Sequence, residues 1–205
     1  MTPPLLIAAM LLEYPDHELF AATDVLKRAA GELDASAGRR ELQTFLDRRG
    51  AQTEMEAQEE YVATFDFHRR ACLYMSYYRD GDRRQRGATL LGLKRLYREA
   101  GFELVHGELP DYLPAVLEFA ANAPSQGASV LRRMRPGIEV LRASLHDLDS
   151  PYGKVLDAVV KGLPALGARE AAEAALIARH GPPEEEVGLE PFAPPEVMPL
   201  GEVRG

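Results

Sequence analysis

Asp82-Arg-Arg-Gln-Arg-Gly-Ala-Thr-Leu-Leu-Gly-Leu-Lys-Arg-Leu-Tyr-Arg-Glu-Ala100 reads as one amphipathic helix. Leu90, Leu93, Leu96, Tyr97 and Ala100 recur at helical spacing and share a stripe, while Arg83, Arg84, Arg86, Lys94, Arg95 and Arg98 fill much of the remainder. A period of 3.6 rather than 2 means that the segment buries its stripe against other helices, with a basic back to solvent. Asp82 followed by Gln85 has the spacing of a capping box, so the helix is expected over 83–100.

The same reading extends outward. No proline falls in the 94 residues between Pro15 and Pro110, so helices there run until a glycine stops them. Further helices are expected at about 4–13, 17–32, 39–49, 54–68, 111–122, 126–147, 152–162 and 168–179. Thr53 with Glu56 forms a second capping box, and Ser150-Pro151 reads as a cap followed by a first-turn proline. Composition agrees: 28 leucines and 29 alanines stand against 21 valines, isoleucines and threonines together, too few for a large sheet. The fold class is therefore all-α.

At 205 residues the chain suits a single domain that buries enough surface to need no staples. Its lone cysteine, Cys72, excludes an intramolecular disulfide and a Cys-cluster metal site, and reads as a small buried hydrophobe. The apolar opening Met1 to Leu12 has no basic region or cleavage site and meets Glu13 at once, so it is not a signal peptide. No apolar run is long enough to span a bilayer, and a soluble, cytoplasmic protein is expected. Composition changes at Gly181. Residues 181–205 hold six of the fifteen prolines, six glutamates and one arginine, an acidic tail expected to be disordered behind a helical domain of residues 1–180.

Net charge is -8, which argues against general nucleic-acid binding. Residues 69–98 run the other way, with nine basic residues against two aspartates. That strip could hold a phosphate-bearing ligand, and the acidic remainder could attract a cationic peptide. The sequence offers no catalytic or metal-binding motif: the five histidines show no helical pairing, and Walker A, G-x-G-x-x-G and G-x-S-x-G patterns are missing. The expectation is a protein that is not an enzyme, with no cofactor and no metal of its own.

Two segments do suggest binding. Tyr61, Phe65, Asp66, Phe67, Tyr74, Tyr77 and Tyr78 interleave aromatic rings with polar groups, a composition that can line a groove for a peptide. Core packing is the competing account of Tyr61 and Phe65, which lie four apart on one helix. In Glu108-Leu-Pro-Asp-Tyr-Leu-Pro-Ala-Val-Leu-Glu-Phe119, Asp111 is placed to cap a helix whose first turn holds Pro114. Glu118 lies seven residues on, at the same face and about 10 Å along the axis, a spacing suited to gripping two cationic groups.

Five blocks carry a resemblance: Tyr61-Val-Ala-Thr-Phe-Asp-Phe67, Leu73-Tyr-Met-Ser-Tyr-Tyr78, Gly81-Asp-Arg-Arg-Gln-Arg-Gly87, Leu96-Tyr-Arg-Glu-Ala-Gly-Phe-Glu-Leu104 and Leu109-Pro-Asp-Tyr-Leu-Pro-Ala-Val-Leu-Glu-Phe119. In this order they resemble the NarJ family, the delta-subunit assembly chaperones of respiratory nitrate reductase, within the NarJ/TorD/DmsD class of redox-enzyme maturation proteins. The likeness is dense over about 59–121, weaker over the N-terminal helices and up to 180, and missing from the tail. It implies a single-domain helical bundle that binds the N-terminal segment of the apo nitrate reductase alpha subunit. The chaperone would hold it for molybdenum cofactor and iron–sulfur cluster insertion and delay membrane anchoring. Molybdenum cofactor delivery proteins are implied as further partners.

Peptide recognition in the family would map onto Tyr61, Phe65, Asp66, Tyr74, Tyr77, Asp111, Pro114 and Glu118. One departure stands out: Tyr112 follows Asp111 where the family commonly has a histidine, so any imidazole titration is lost. The expected mechanism is capture of an amphipathic segment, its apolar face on the aromatic wall and its basic groups on Asp66, Asp111 and Glu118. The alternative is direct carriage of an anionic molybdopterin-type cofactor on the strip at Arg83, Arg84 and Arg86.

Overall fold

In the computed structural model, residues 3–35, 38–81, 84–104 and 107–181 are described, Arg84 by its backbone alone. Eleven α-helices of these residues form the molecule: α1 Pro3–Leu11, α2 His17–Ala21, α3 Thr23–Gly31, α4 Arg39–Arg49, α5 Glu54–Phe65, α6 Met75–Asp80, α7 Arg84–Glu99, α8 Leu113–Asn122, α9 Pro124–Asp147, α10 Tyr152–Lys161 and α11 Ala168–His180. Among the described residues there is no β-strand. An isolated antiparallel bridge joins Tyr74 to Tyr112. The all-α, single-domain expectation holds.

The organising element is α9, whose apolar positions from Val130 through Leu145 are buried on more than one side. It packs against α6, α8, α10 and α11, while α1 lies across α8 and α10, and α3 and α4 close the far side. Contact with α8 is close enough to require Gly127, since a Cβ there would lie 2.3 Å from the Ala120 Cα. Pro136 sits inside α9 and removes one of its hydrogen bonds, yet the helix continues through it. The next residue, Gly137, leaves room for α6: a Cβ at Gly137 would meet the Tyr78 ring at 3.1 Å.

Several expectations need correction. The helix expected over 17–32 is two, since α2 stops at Ala21 and α3 starts at Thr23, whose hydroxyl turns back to donate to the Phe20 carbonyl at 2.6 Å. The helix expected to 68 ends at Phe65. Ser150 does not cap α10 with its hydroxyl, which instead lies 3.3 Å from the Thr64 hydroxyl. On α7 the expected stripe does face the core, with Leu93 and Tyr97 buried and Leu96 and Ala100 packed partly buried against it. The Thr53–Glu56 capping box forms as expected, with the Thr53 amide donating to Glu56 at 2.7 Å. The Asp82–Gln85 box and the tail from 182 lie outside the described residues.

Candidate functional site

Where α5 ends, the chain turns through a short 3-10 segment, Arg69–Ala71, into α6, a helix that the periodicity does not reveal. Six residues are too few to show a hydrophobic period. The start of α6 is fixed from a distance. Asp111, 35 positions later, accepts hydrogen bonds from the Ser76 amide at 3.1 Å and from the Ser76 hydroxyl. The Met75 amide donates to the Asp111 carbonyl and the Leu113 amide to the Leu73 carbonyl, at 2.9 and 2.8 Å. Asp111 thus caps the helix before it in space, not α8, and the N-cap position of α8 belongs to Tyr112. The expected pairing of Asp111 with Glu118 on one helix face is corrected accordingly, because Asp111 precedes the helix.

This clamp lays Tyr74 beside Tyr112, their ring centroids 5.4 Å apart, and opens a concavity of about 380 Å³ between the α5–α6 turn and the start of α8. Tyr61, Phe65, Asp66, Tyr74 and Tyr77 all line it, so five of the eight expected peptide-binding residues come together. Tyr61 is also core, its ring 4.8 Å from Phe65 and 5.9 Å from Tyr152, so the packing account of this pair holds while both rings also line the concavity. The other three expected residues are placed differently. Asp111 has no exposed surface, Pro114 is buried in the first turn of α8, and Glu118 stands exposed farther along that helix.

The hydroxyls and carboxylates are connected. Tyr112 donates to Glu13 at 3.1 Å, Tyr61 donates to the Leu12 carbonyl at 3.3 Å, and Tyr74 donates to Glu108 at 3.3 Å. Burial pushes the Tyr61 phenol up to about 12, against its contact with Tyr112. Tyr74 is likewise pushed up to about 12 by burial and then by the nearby Glu108 carboxylate. Tyr112 rises too, first through burial and then through Tyr61 and Glu13. All three are neutral donors at physiological pH. Glu13 is raised above the ordinary carboxylate range by partial burial, which the Tyr112 hydrogen bond opposes and the charges of Glu108, Glu118 and Asp16 reinforce. Glu118 thus acts on Glu13 through its charge and does not line the pocket.

Residues not among the eight expected contacts complete the lining: His68, Arg69, Cys72, Leu73, Glu108 and Tyr112. Cys72 is half-buried at the pocket wall, a correction to the buried hydrophobe expected. Its sulfur accepts from the Tyr74 amide at 3.4 Å. Phe67, at 76% exposure, stands beside this site with nearly its whole ring in solvent. Of the expected basic strip, Arg83 lies outside the described residues. Arg86 turns inward, its guanidinium 3.6 Å from the Asp111 carboxylate and 6.0 Å from the Tyr74 ring centre. Among the described residues no group of His, Cys, Asp and Glu is arranged to hold a metal, and no helix is long and apolar enough to cross a membrane.

Comparison with known proteins gives a consistent result. Residues 30–157, which contain every residue lining the pocket, match the nitrate reductase delta subunit family. The chain is 36% identical over 167 residues to the probable nitrate reductase molybdenum cofactor assembly chaperone NarJ of Bacillus subtilis, covering 81% of this chain and 91% of that one. It is 33% identical over 165 residues to the nitrate reductase molybdenum cofactor assembly chaperone NarJ of Escherichia coli K12, with 77% and 68% covered. Identity is also 36% over 156 residues to the nitrate reductase-like protein NarX of Mycobacterium tuberculosis, where the match covers 75% of this chain but 23% of that protein. On the family match and the two NarJ alignments, the chain belongs to the nitrate reductase delta subunit family.

Proposed function

We propose that this protein is a cytoplasmic assembly chaperone, not an enzyme, that binds the N-terminal segment of the apo nitrate reductase alpha subunit. It would hold that subunit for molybdenum cofactor and iron–sulfur cluster insertion and delay its anchoring to the membrane. Support for the chaperone role comes from the named function of the relatives. Support for peptide capture rests on one observation, the pocket walled by Tyr61, Phe65, Tyr74 and Tyr77 and margined by Asp66, Glu108 and Glu13. Aromatic walls bury apolar side chains at low cost in conformational entropy, and carboxylates at the margin orient basic ones. Arg69 and His68 on the same lip give the site a polarity, so a bound segment would have a preferred direction.

Carriage of an anionic cofactor on Arg83, Arg84 and Arg86 has less to stand on. Releasing Arg86 to a ligand would take a cation away from the fully buried Asp111 carboxylate. The tail beyond Gly181 is proposed to take no part in peptide binding.

The test is calorimetric titration of the full chain with a peptide copying the first ~15–30 residues of the cognate alpha subunit, an affinity of micromolar or tighter being expected. Tyr74→Ala and Phe65→Ala should each weaken it by about 1–3 kcal/mol, the range for truncating an anchoring aromatic. A peptide that binds equally well to both variants would place recognition elsewhere.

A further inference from the structure

On the face made by α6, α9 and α11, a second concavity of about 360 Å³ is lined by Arg79, Ser129, Arg132, Arg133, Pro136, Arg169, Glu170 and Glu173. Four guanidiniums from three helices meet there in a chain whose net charge is -8. Arg79 is already engaged: its Nε and Nη2 donate to the Asp80 carboxylate at 2.9 and 3.2 Å, and its Nη2 also to the Thr89 hydroxyl at 3.0 Å, so it adds charge at the edge of the cleft. Among the described residues Arg132, Arg133 and Arg169 make no ion pair and no side-chain hydrogen bond. Of the two carboxylates in the cleft, Glu170 turns back to accept from the Gly167 amide at 2.8 Å, and Glu173 faces Arg79.

The three cations without partners, Arg132, Arg133 and Arg169, repel one another, and a bound anion relieves that repulsion in proportion to its own charge. Arginine forks fit phosphate oxygens two at a time, so several converging forks select a phosphoryl group with more than one negative charge. Arg169 stands in the first turn of the 13-residue α11, whose N-terminal end is itself capped by the Glu170 carboxylate. The volume is in the range of small-molecule pockets, and the site is concave rather than a flat track for a chain.

We propose that the Arg79–Arg132–Arg133–Arg169 cleft is a binding site for a small phosphate-bearing ligand of the pyrophosphate class. The site is separate from the aromatic pocket and does not depend on the peptide reading. The probes are inorganic pyrophosphate and ADP, titrated calorimetrically into the full-length protein at low salt. Saturable one-to-one binding with Kd below about 1 mM is expected. R132E/R169E should weaken it at least tenfold, while R95E/R98E, which changes the net charge equally from exposed positions on α7, should leave it within twofold. R132Q/R169Q should also weaken it, which guards against misfolding of the reversal variant, as does an unchanged far-ultraviolet circular dichroism spectrum. Three results would overturn the proposal: no saturable binding of either probe, equal weakening by both charge-reversal pairs, or displacement of pyrophosphate by a ten-residue polyglutamate peptide that binds more tightly. The last would make the cleft a contact for an acidic protein segment.

Discussion

A carboxylate with no exposed surface acts through what it holds. Asp111 holds the first turn of α6 and the Arg86 guanidinium, and its effect on the pocket is to keep Tyr74 and Tyr112 side by side. Asp111→Ala is therefore expected to lower folding stability by about 2–4 kcal/mol, measured by urea unfolding, because it strands a half-buried cation and uncaps a helix. Glu108→Gln should behave in the opposite way, weakening the peptide about three- to tenfold with the unfolding midpoint unchanged. Glu13 adds a pH dependence. Its folded pKa lies above the ordinary 4.5, so its contribution to stability is present below pH 4.5 and lost as pH rises through the folded value. Peptide affinity should change in the reverse sense, strengthening over that window as Glu13 gains its charge, and Glu13→Gln should flatten the profile in calorimetry at pH 5 and pH 7.5. The sequence brought Tyr61, Phe65, Asp66, Tyr74 and Tyr77 into view because they cluster along the chain. Glu13 escaped it because it reaches Tyr112 from 99 positions away, and Glu108, though in a segment that drew notice, carries no local pattern that marks it as the partner of Tyr74.

Helices longer than about two turns were readable from their periodicity, and α4, α5, α9, α10 and α11 lie close to where it puts them. The exceptions have physical causes. α6 is short and capped by a residue 35 positions away, and α2 separates from α3 without a proline or glycine to mark the break. Two predictions concern how helices meet. Gly127→Ala should destabilise by about 1–3 kcal/mol or more, because α8 and α9 must part to admit a methyl group that would sit 2.7 Å from the Ala120 Cβ. Between α9 and α10, Asp157 accepts from Arg142 at 3.0 Å and pairs with His146 at 2.9 Å. Burial works to raise its pKa, but those two partners outweigh it and hold the carboxyl below the usual value. Stability from this clasp is present above pH 3.8 and lost as pH falls through the folded pKa, and Asp157→Asn should remove that acid limb from a thermal unfolding profile.

Among the described residues, like charges gather at two places. The aromatic pocket carries an acidic margin, and the arginine cleft lies on the face of α6, α9 and α11. Raising salt from 50 to 300 mM should weaken both peptide and pyrophosphate binding, the peptide less, since buried apolar area is not screened. Truncation after Gly181 is expected to leave peptide affinity within about twofold, in line with a site built wholly upstream of the tail. The sequence showed the charge imbalance of residues 69–98 but not its geography: Arg86 is drawn inward to Asp111, whereas Arg132, Arg133 and Arg169 from outside that segment join Arg79.

The hydrogen bond from Tyr112 to Glu13 spans 99 positions, and the Tyr74–Tyr112 bridge spans 38. Both belong to the peptide pocket, and α6 beneath it rests on Gly137 of α9. During synthesis, then, the pocket is complete only once the chain through α9 has left the ribosome. On the proposed function, a nascent copy would gain its grip on a client only at that point.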